Sequence, residues 1–156
     1  MSTPEYLQAI GQFIWDFAAL EWDVISTLVY LHNDDWQAAN TIQPAGTIAK
    51  NFRKRIRTLE NDLPTELAGR LRLMAAHYEE ATVERNALLH GHPYGEAGGI
   101  TQLGGEIKNG VYRRWSLQLL HDTRSKIVEF RRISGPTVQE ARAWRATHFN
   151  RRPEDA

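Results

Sequence analysis

The residues of this chain best suited to chemistry stand together in Arg85-Asn86-Ala87-Leu88-Leu89-His90-Gly91. Asn86 and His90 are four positions apart, so on a helix they share one face. Arg85 and His90 are about 140° apart on an ideal helix, and serve one site only through side-chain reach or a distorted last turn. A guanidinium, an amide and an imidazole together suit phosphate chemistry. Arginine grips phosphate oxygens with two donors at once, and an imidazole exchanges protons near neutral pH.

A second charged residue belongs to the same question. Glu21 interrupts an apolar stripe between Phe17 and Val24, as Arg85 does between Ala81 and Leu88. A charge on an inward stripe is costly unless paired. Three readings stay open: Glu21 and Arg85 meet and hold the site, they meet as an ion pair that only fixes helix register, or both stripes open there to solvent or a subunit interface.

Other constellations are poorer. His77, Glu80 and Glu84 have helical spacing, but the second Glu-x-x-His helix of a di-metal bundle is missing, and His90-Gly91-His92 lacks a nearby carboxylate. The glycines between 91 and 110 have the wrong spacing for a phosphate loop or dinucleotide fingerprint. No metal and no cofactor is expected. Trp115, beside Arg113 and Arg114, either stacks a base or ends a strand.

The elements that must position these residues are helices. Thr3-Pro4-Glu5 combines a hydroxyl cap, a proline at the first helical position and an early carboxylate. Leu7, Ile10, Ile14, Phe17, Val24, Leu28 and Leu31 then recur at helical steps, predicting a helix over 4–31. Residues 35–62 read as helical with a break at 43–46. A helix beginning after Pro64 runs through Leu67, Leu71, Met74 and Tyr78 to about His90, with Gly91 as its cap. In the glycine-punctuated stretch 91–115, segments 100–103 and 111–115 form a short hairpin or a mobile loop. Helix resumes near Ser116, breaks at Gly135-Pro136, and restarts from a capping box at Thr137–Glu140. The predicted fold is all-α: an antiparallel bundle of four to five helices with a glycine-rich loop or hairpin inserted at about 91–115. It forms one domain over 1–150, and 151–156 is a frayed tail.

Composition narrows the class. A chain of 156 residues suits one domain with its own core. Without cysteine there is no disulfide, thiolate zinc site or cysteine nucleophile, which suits a reducing cytoplasm. No basic segment followed by an apolar run opens the sequence, and no stretch is apolar enough to cross a membrane. Nineteen Lys and Arg balance nineteen Asp and Glu, which argues against a general nucleic-acid coat protein. The charges are unevenly placed, however. Six carboxylates precede the first basic residue, Lys50, and Arg53, Lys54, Arg55 and Arg57 follow it closely. Either a polyanion meets the basic segments, or the opposite charges meet across the fold or between subunits.

The segment from Arg85 to His90 resembles the signature of the HEPN superfamily. In that signature an Arg, four to six residues and a His close a core helix, often with Asn directly after the Arg. The long first helix with an inward Glu21 looks like that family too. The resemblance implies a metal-independent endoribonuclease, or a descendant that kept the fold as a non-catalytic dimerisation or interaction module. His90 would act as acid and base, Arg85 would stabilise phosphate charge, Asn86 would orient, and Glu21 would hold Arg85. Arg53, Lys54, Arg57 and His92 would contact the RNA. Family members often form homodimers whose paired motifs line one cleft. They occur in toxin–antitoxin, phage-defence and RNA-processing systems, which makes an antitoxin or other protein a further expected partner.

Overall fold

The computed structural model describes residues 3–32, 43–95, 102–107 and 111–149. Four helices, α1 (Pro4–Leu31), α2 (Ala45–Thr58), α3 (Thr65–Leu89) and α4 (Leu117–His148), surround one apolar core. Three short strands between α3 and α4 are β1 (His92–Tyr94), β2 (Gln102–Ile107) and β3 (Val111–Trp115). They form an antiparallel sheet in sequential order, with Leu103 opposite both Pro93 and Trp115. The all-α class with a small hairpin insertion is therefore as expected, and a third strand joins the two segments read from sequence. No described helix is long and apolar enough to cross a membrane.

Local chemistry sets most boundaries. The Thr3 hydroxyl accepts from the Tyr6 amide at 3.2 Å and starts α1. The Ser116 hydroxyl accepts from Leu119 and starts α4. α1 has no basic residue in its last turn, yet the partial negative charge of its final carbonyls is met. Arg55 donates to the Leu31 carbonyl through Nε at 2.8 Å and Nη2 at 2.5 Å. Arg145 reaches the Val29 carbonyl at 3.0 Å.

Side-chain pairs give the helix directions. Glu21 with Tyr78 and Thr27 with Met74 set α3 antiparallel to α1. Arg53 with Glu79 and Arg72 with Glu60 set it antiparallel to α2, and Arg70 with Glu140 and Glu80 with Lys126 set it antiparallel to α4. The non-consecutive pair α1 and α4 runs parallel, with Asp16 on Arg124 at 2.7 Å and Asp23 near Arg131 at 3.6 Å. Two of the early carboxylates, Asp16 and Asp23, thus meet later arginines across the fold.

One boundary differs from expectation. Gly135-Pro136 does not break the last helix, and no capping box restarts it at Thr137: α4 is continuous through Pro136. Proline there forfeits one helical hydrogen bond and crowds the preceding turn, which ordinarily costs about 3 kcal/mol. Burial of Ser134, Thr137, Val138 and Ala141 around an exposed Pro136 offsets that cost. The Thr137 hydroxyl also donates to the Ile133 carbonyl at 3.0 Å, keeping the turn closed. The expected helix before Pro44 and the tail beyond Phe149 lie outside the described residues. Pro136→Ala is expected to raise unfolding free energy by about 1–3 kcal/mol in urea denaturation.

Candidate functional site

The C-terminal turn of α3 carries the predicted site. Arg85 and Asn86 are half-buried there, and His90 is exposed as the capping residue. Its amide donates to the Asn86 carbonyl, and the Gly91 amide donates to the Leu88 carbonyl. The angular gap between Arg85 and Asn86 is bridged directly: Arg85 Nη1 donates to Asn86 Oδ1 at 2.9 Å. Asn86 in turn shares its face with His90. The guanidinium lies over the Phe17 ring, 5.6 Å from its centroid, which limits how far it can swing.

Glu21 does not take Arg85 as its ion-pair partner among the described residues. Its Oε2 accepts from the Tyr78 hydroxyl at 2.5 Å. Tyr78 precedes Arg85 by seven residues, or about two turns of α3, and stacks on Phe17 at 5.9 Å and 23°. The group is therefore layered: Glu21 and Tyr78, then Phe17, then Arg85 and Asn86. Burial pushes the Tyr78 phenol well up from its ordinary value. The hydrogen bond to the Glu21 carboxylate and that carboxylate's charge push it further, against smaller pulls from the Thr82 hydroxyl and Arg85. It stays a neutral donor, the form Glu21 requires.

Gly91 and the sheet set how closely the strands approach the end of α3. A Cβ on Gly91 would stand 3.0 Å from the Leu88 carbonyl oxygen and 3.2 Å from Leu103 Cβ. One on Gly105 would stand 3.2 Å from Gly91 Cα. Two glycines thus let β2 lie directly against the end of α3. Gly91 acts by leaving room rather than by supplying a left-handed cap. The sheet is tied to α1 by Tyr6, whose hydroxyl accepts from the Leu103 amide at 2.9 Å and donates to the Trp115 carbonyl at 2.7 Å. Trp115 is fully buried, edge-on to Phe13 at 6.0 Å, so it ends a strand and cannot stack a base.

The predicted substrate contacts divide. Arg53 and Arg57 line a cleft of about 400 Å³ between α2 and α3, with Ile56, Glu60, Arg72 and Ala75. A neighbouring recess of about 370 Å³ adds Lys50, Thr82 and Val83. Lys54 instead lines a separate recess with His32, Asn51 and Thr58. His92 is exposed on β1, opposite Gly104. Lys50 and Arg72 were not singled out from sequence as site residues, although the spacing carried a signal. Lys50, Arg53 and Arg57 follow helical steps, and Arg72, Glu79, Val83, Asn86 and His90 fall within about 40° of one line along an ideal helix. The cleft therefore follows the face of α3 that ends in Asn86 and His90.

The residues of the metal reading are otherwise engaged. Glu84 pairs with Arg113 and Glu80 with Lys126. His77 stacks on Phe130 at 4.1 Å, and burial lowers its pKa. No group of three metal-ligating side chains gathers among the described residues. Comparison with protein-family models, curated proteins and solved structures found no match to this chain, so any functional reading rests on the residues and their geometry.

Two outcomes follow. Gly105→Ala is expected to cost about 1–3 kcal/mol in thermal unfolding, because its methyl group meets backbone on the facing turn. Tyr6 and Tyr78 both have pKa values raised by burial. Their contribution is complete below the ordinary phenol value of about 10 and is lost as pH climbs above it. A spectrophotometric titration should show Tyr78 ionising only as the chain unfolds in alkali, and Tyr6 ionising above the ordinary phenol range.

Proposed function

We propose that this chain is a metal-independent endoribonuclease of the HEPN kind, of the sort that serves as a toxin or defence effector. The observation that supports it best is the Arg85–Asn86 hydrogen bond on the turn that presents His90 to solvent. Phosphodiester cleavage without a metal needs a proton-transfer group and a fixed positive charge within reach of one phosphate. In the reaction envisaged, the ribose 2′-oxygen forms a bond to its adjacent phosphorus while the bond to the 5′-oxygen breaks. His90 exchanges the proton, Arg85 stabilises the added negative charge, and Asn86 orients Arg85 or a phosphate oxygen. The products carry a 2′,3′-cyclic phosphate and a free 5′-hydroxyl. Lys50, Arg53, Arg57 and Arg72 line the approach and suit the backbone of the strand being cut.

A second reading, a non-catalytic interaction module, is favoured by the exposed Trp15 and Trp22 on α1. Cleavage separates the two. Purified protein should cut cellular RNA in EDTA, and His90→Ala should reduce the rate at least ~100-fold without altering the fold. Arg85→Ala should lower it by a similar order. Undiminished cleavage by His90→Ala, or none by the wild-type chain across several RNA pools, would leave the interaction module as the function.

A further inference from the structure

The small sheet has two unlike faces. Cross-strand partners point to the same side, and successive residues of a strand alternate between sides. Leu103, opposite both Pro93 and Trp115, and Gly105, opposite Arg113, therefore mark one face. That face lies on the bundle: Trp115 is buried against Phe13, Gly105 lies against Gly91, and Arg113 pairs with Glu84 on α3. The other face carries His92, Gly104 and Arg114 in one row, with Tyr94 and Tyr112 beside it. His92, Tyr94, Tyr112 and Arg114 are all exposed, the two tyrosines by 41% and 55%.

We propose that this outer face is a stacking platform for an unpaired base of the RNA strand, next to the phosphate at His90. It rests on the ribonuclease reading for the strand it binds, and three observations carry it. First, Tyr112 reaches diagonally across β2 and lays its phenol end over Gly104. A Cβ on Gly104 would stand 2.6 Å from Tyr112 Oη and 3.1 Å from Cζ. Only glycine leaves room for the ring to lie down on the strand, and a ring so placed remains more than half exposed. Trp115, the aromatic that the sequence offered for stacking, is three positions further along β3 and so on the opposite face.

Second, the chemistry of the face suits a nucleic acid. His92 and Arg114 flank Gly104 in the same row, about 10 Å apart across three strands. Arg114 lies over the Tyr94 ring, 4.3 Å from its centroid, and this contact holds both side chains at the surface. Single-strand binding surfaces combine aromatic rings for the bases with cationic groups for the phosphates. A surface for an apolar partner would carry aliphatic side chains where this one has phenols, an imidazole and a guanidinium.

Third, the platform adjoins the candidate site. β1 begins two residues after His90, so the α-carbons of His90 and His92 are at most about 7 Å apart. Gly104 is the direct partner of His92, which puts the Tyr112 phenol about one strand spacing, roughly 5 Å, further on. A strand with its phosphate at His90 brings its neighbouring bases to this range. In a duplex the faces of those bases are already stacked, so the strand must be unpaired here.

The test measures binding rather than cleavage, with a fluorescein-labelled 2′-O-methyl RNA of about eight nucleotides as the probe. Such a probe has no 2′-hydroxyl to attack its phosphates. In fluorescence anisotropy the wild-type chain should bind the single strand, and bind the same sequence as a duplex at least ~10-fold more weakly. Tyr112→Ala should bind the single strand about 10-fold more weakly, with unchanged circular dichroism. Tyr112→Phe, which keeps the ring, should bind as the wild type does. Gly104→Ala should fold normally, because its methyl group meets the end of a flexible side chain, and should bind more weakly because the ring is lifted. No binding by the wild type, equal affinity for the duplex, undiminished binding by Tyr112→Ala or Gly104→Ala, or a loss in Tyr112→Phe would overturn the platform, whatever the chain does to cellular RNA. Binding that depends on the Tyr112 ring, in a chain that cuts no RNA, would uphold the platform and overturn the ribonuclease reading instead.

Discussion

A helix of 28 residues with four carboxylates and no cation must find its positive charge elsewhere in the chain. In this fold α1 finds it at fixed heights. Asp16 meets Arg124 and Asp23 lies near Arg131, so the same offset of 108 positions holds α1 and α4 parallel in register at points one heptad apart. Tyr6 and Trp115 extend nearly the same register to the sheet, with an offset of 109. At the far end Arg55 and Arg145 take the last carbonyls. The ion pairs are partly exposed and worth at most about 1 kcal/mol each. Their larger effect is to make a sliding helix mismatch all its partners together, while the apolar inner face supplies the stabilisation.

That register reaches the candidate site by two routes. Tyr6 holds Leu103 and Trp115, and β2 then sets Gly105 against Gly91, so the sheet is the stop on which the end of α3 rests. The second route is Phe17, with Tyr78 stacked on it and Arg85 lying over its ring. α1 thus holds both sides of the turn that offers His90. Packing already restricts Arg85, which would reduce the ordering cost of the phosphate contact proposed for it.

The helices were legible because their signals are local: Thr3-Pro4, Pro64 and Ser116 start helices where a cap or a fixed backbone angle says they should. Pro136 misled for the complementary reason. Its local cost is real, and only the burial of Ser134, Thr137, Val138 and Ala141 on one face shows why the helix tolerates it. Glu21 was rightly read as a charge needing a partner, but the donor it found was hidden in the apolar stripe. Tyr78 reads as core by position, and its hydroxyl is visible only once α1 and α3 are set side by side. Arg53 and Lys54 are neighbours in sequence and face different recesses, since adjacent helical residues are about 100° apart. A basic run therefore says little about which of its members share a surface until the helix is placed.

Since α3 runs antiparallel to α1 and Arg85 lies at the height of Phe17, His90 sits nearer the N-terminal end of α1, where Tyr6 holds the sheet. Arg85 and Asn86 are joined to each other one turn before His90. That end of the molecule therefore gathers a guanidinium, an amide and an imidazole within about a turn and a half of one helix, and what α1 contributes is the packing that holds the turn in place.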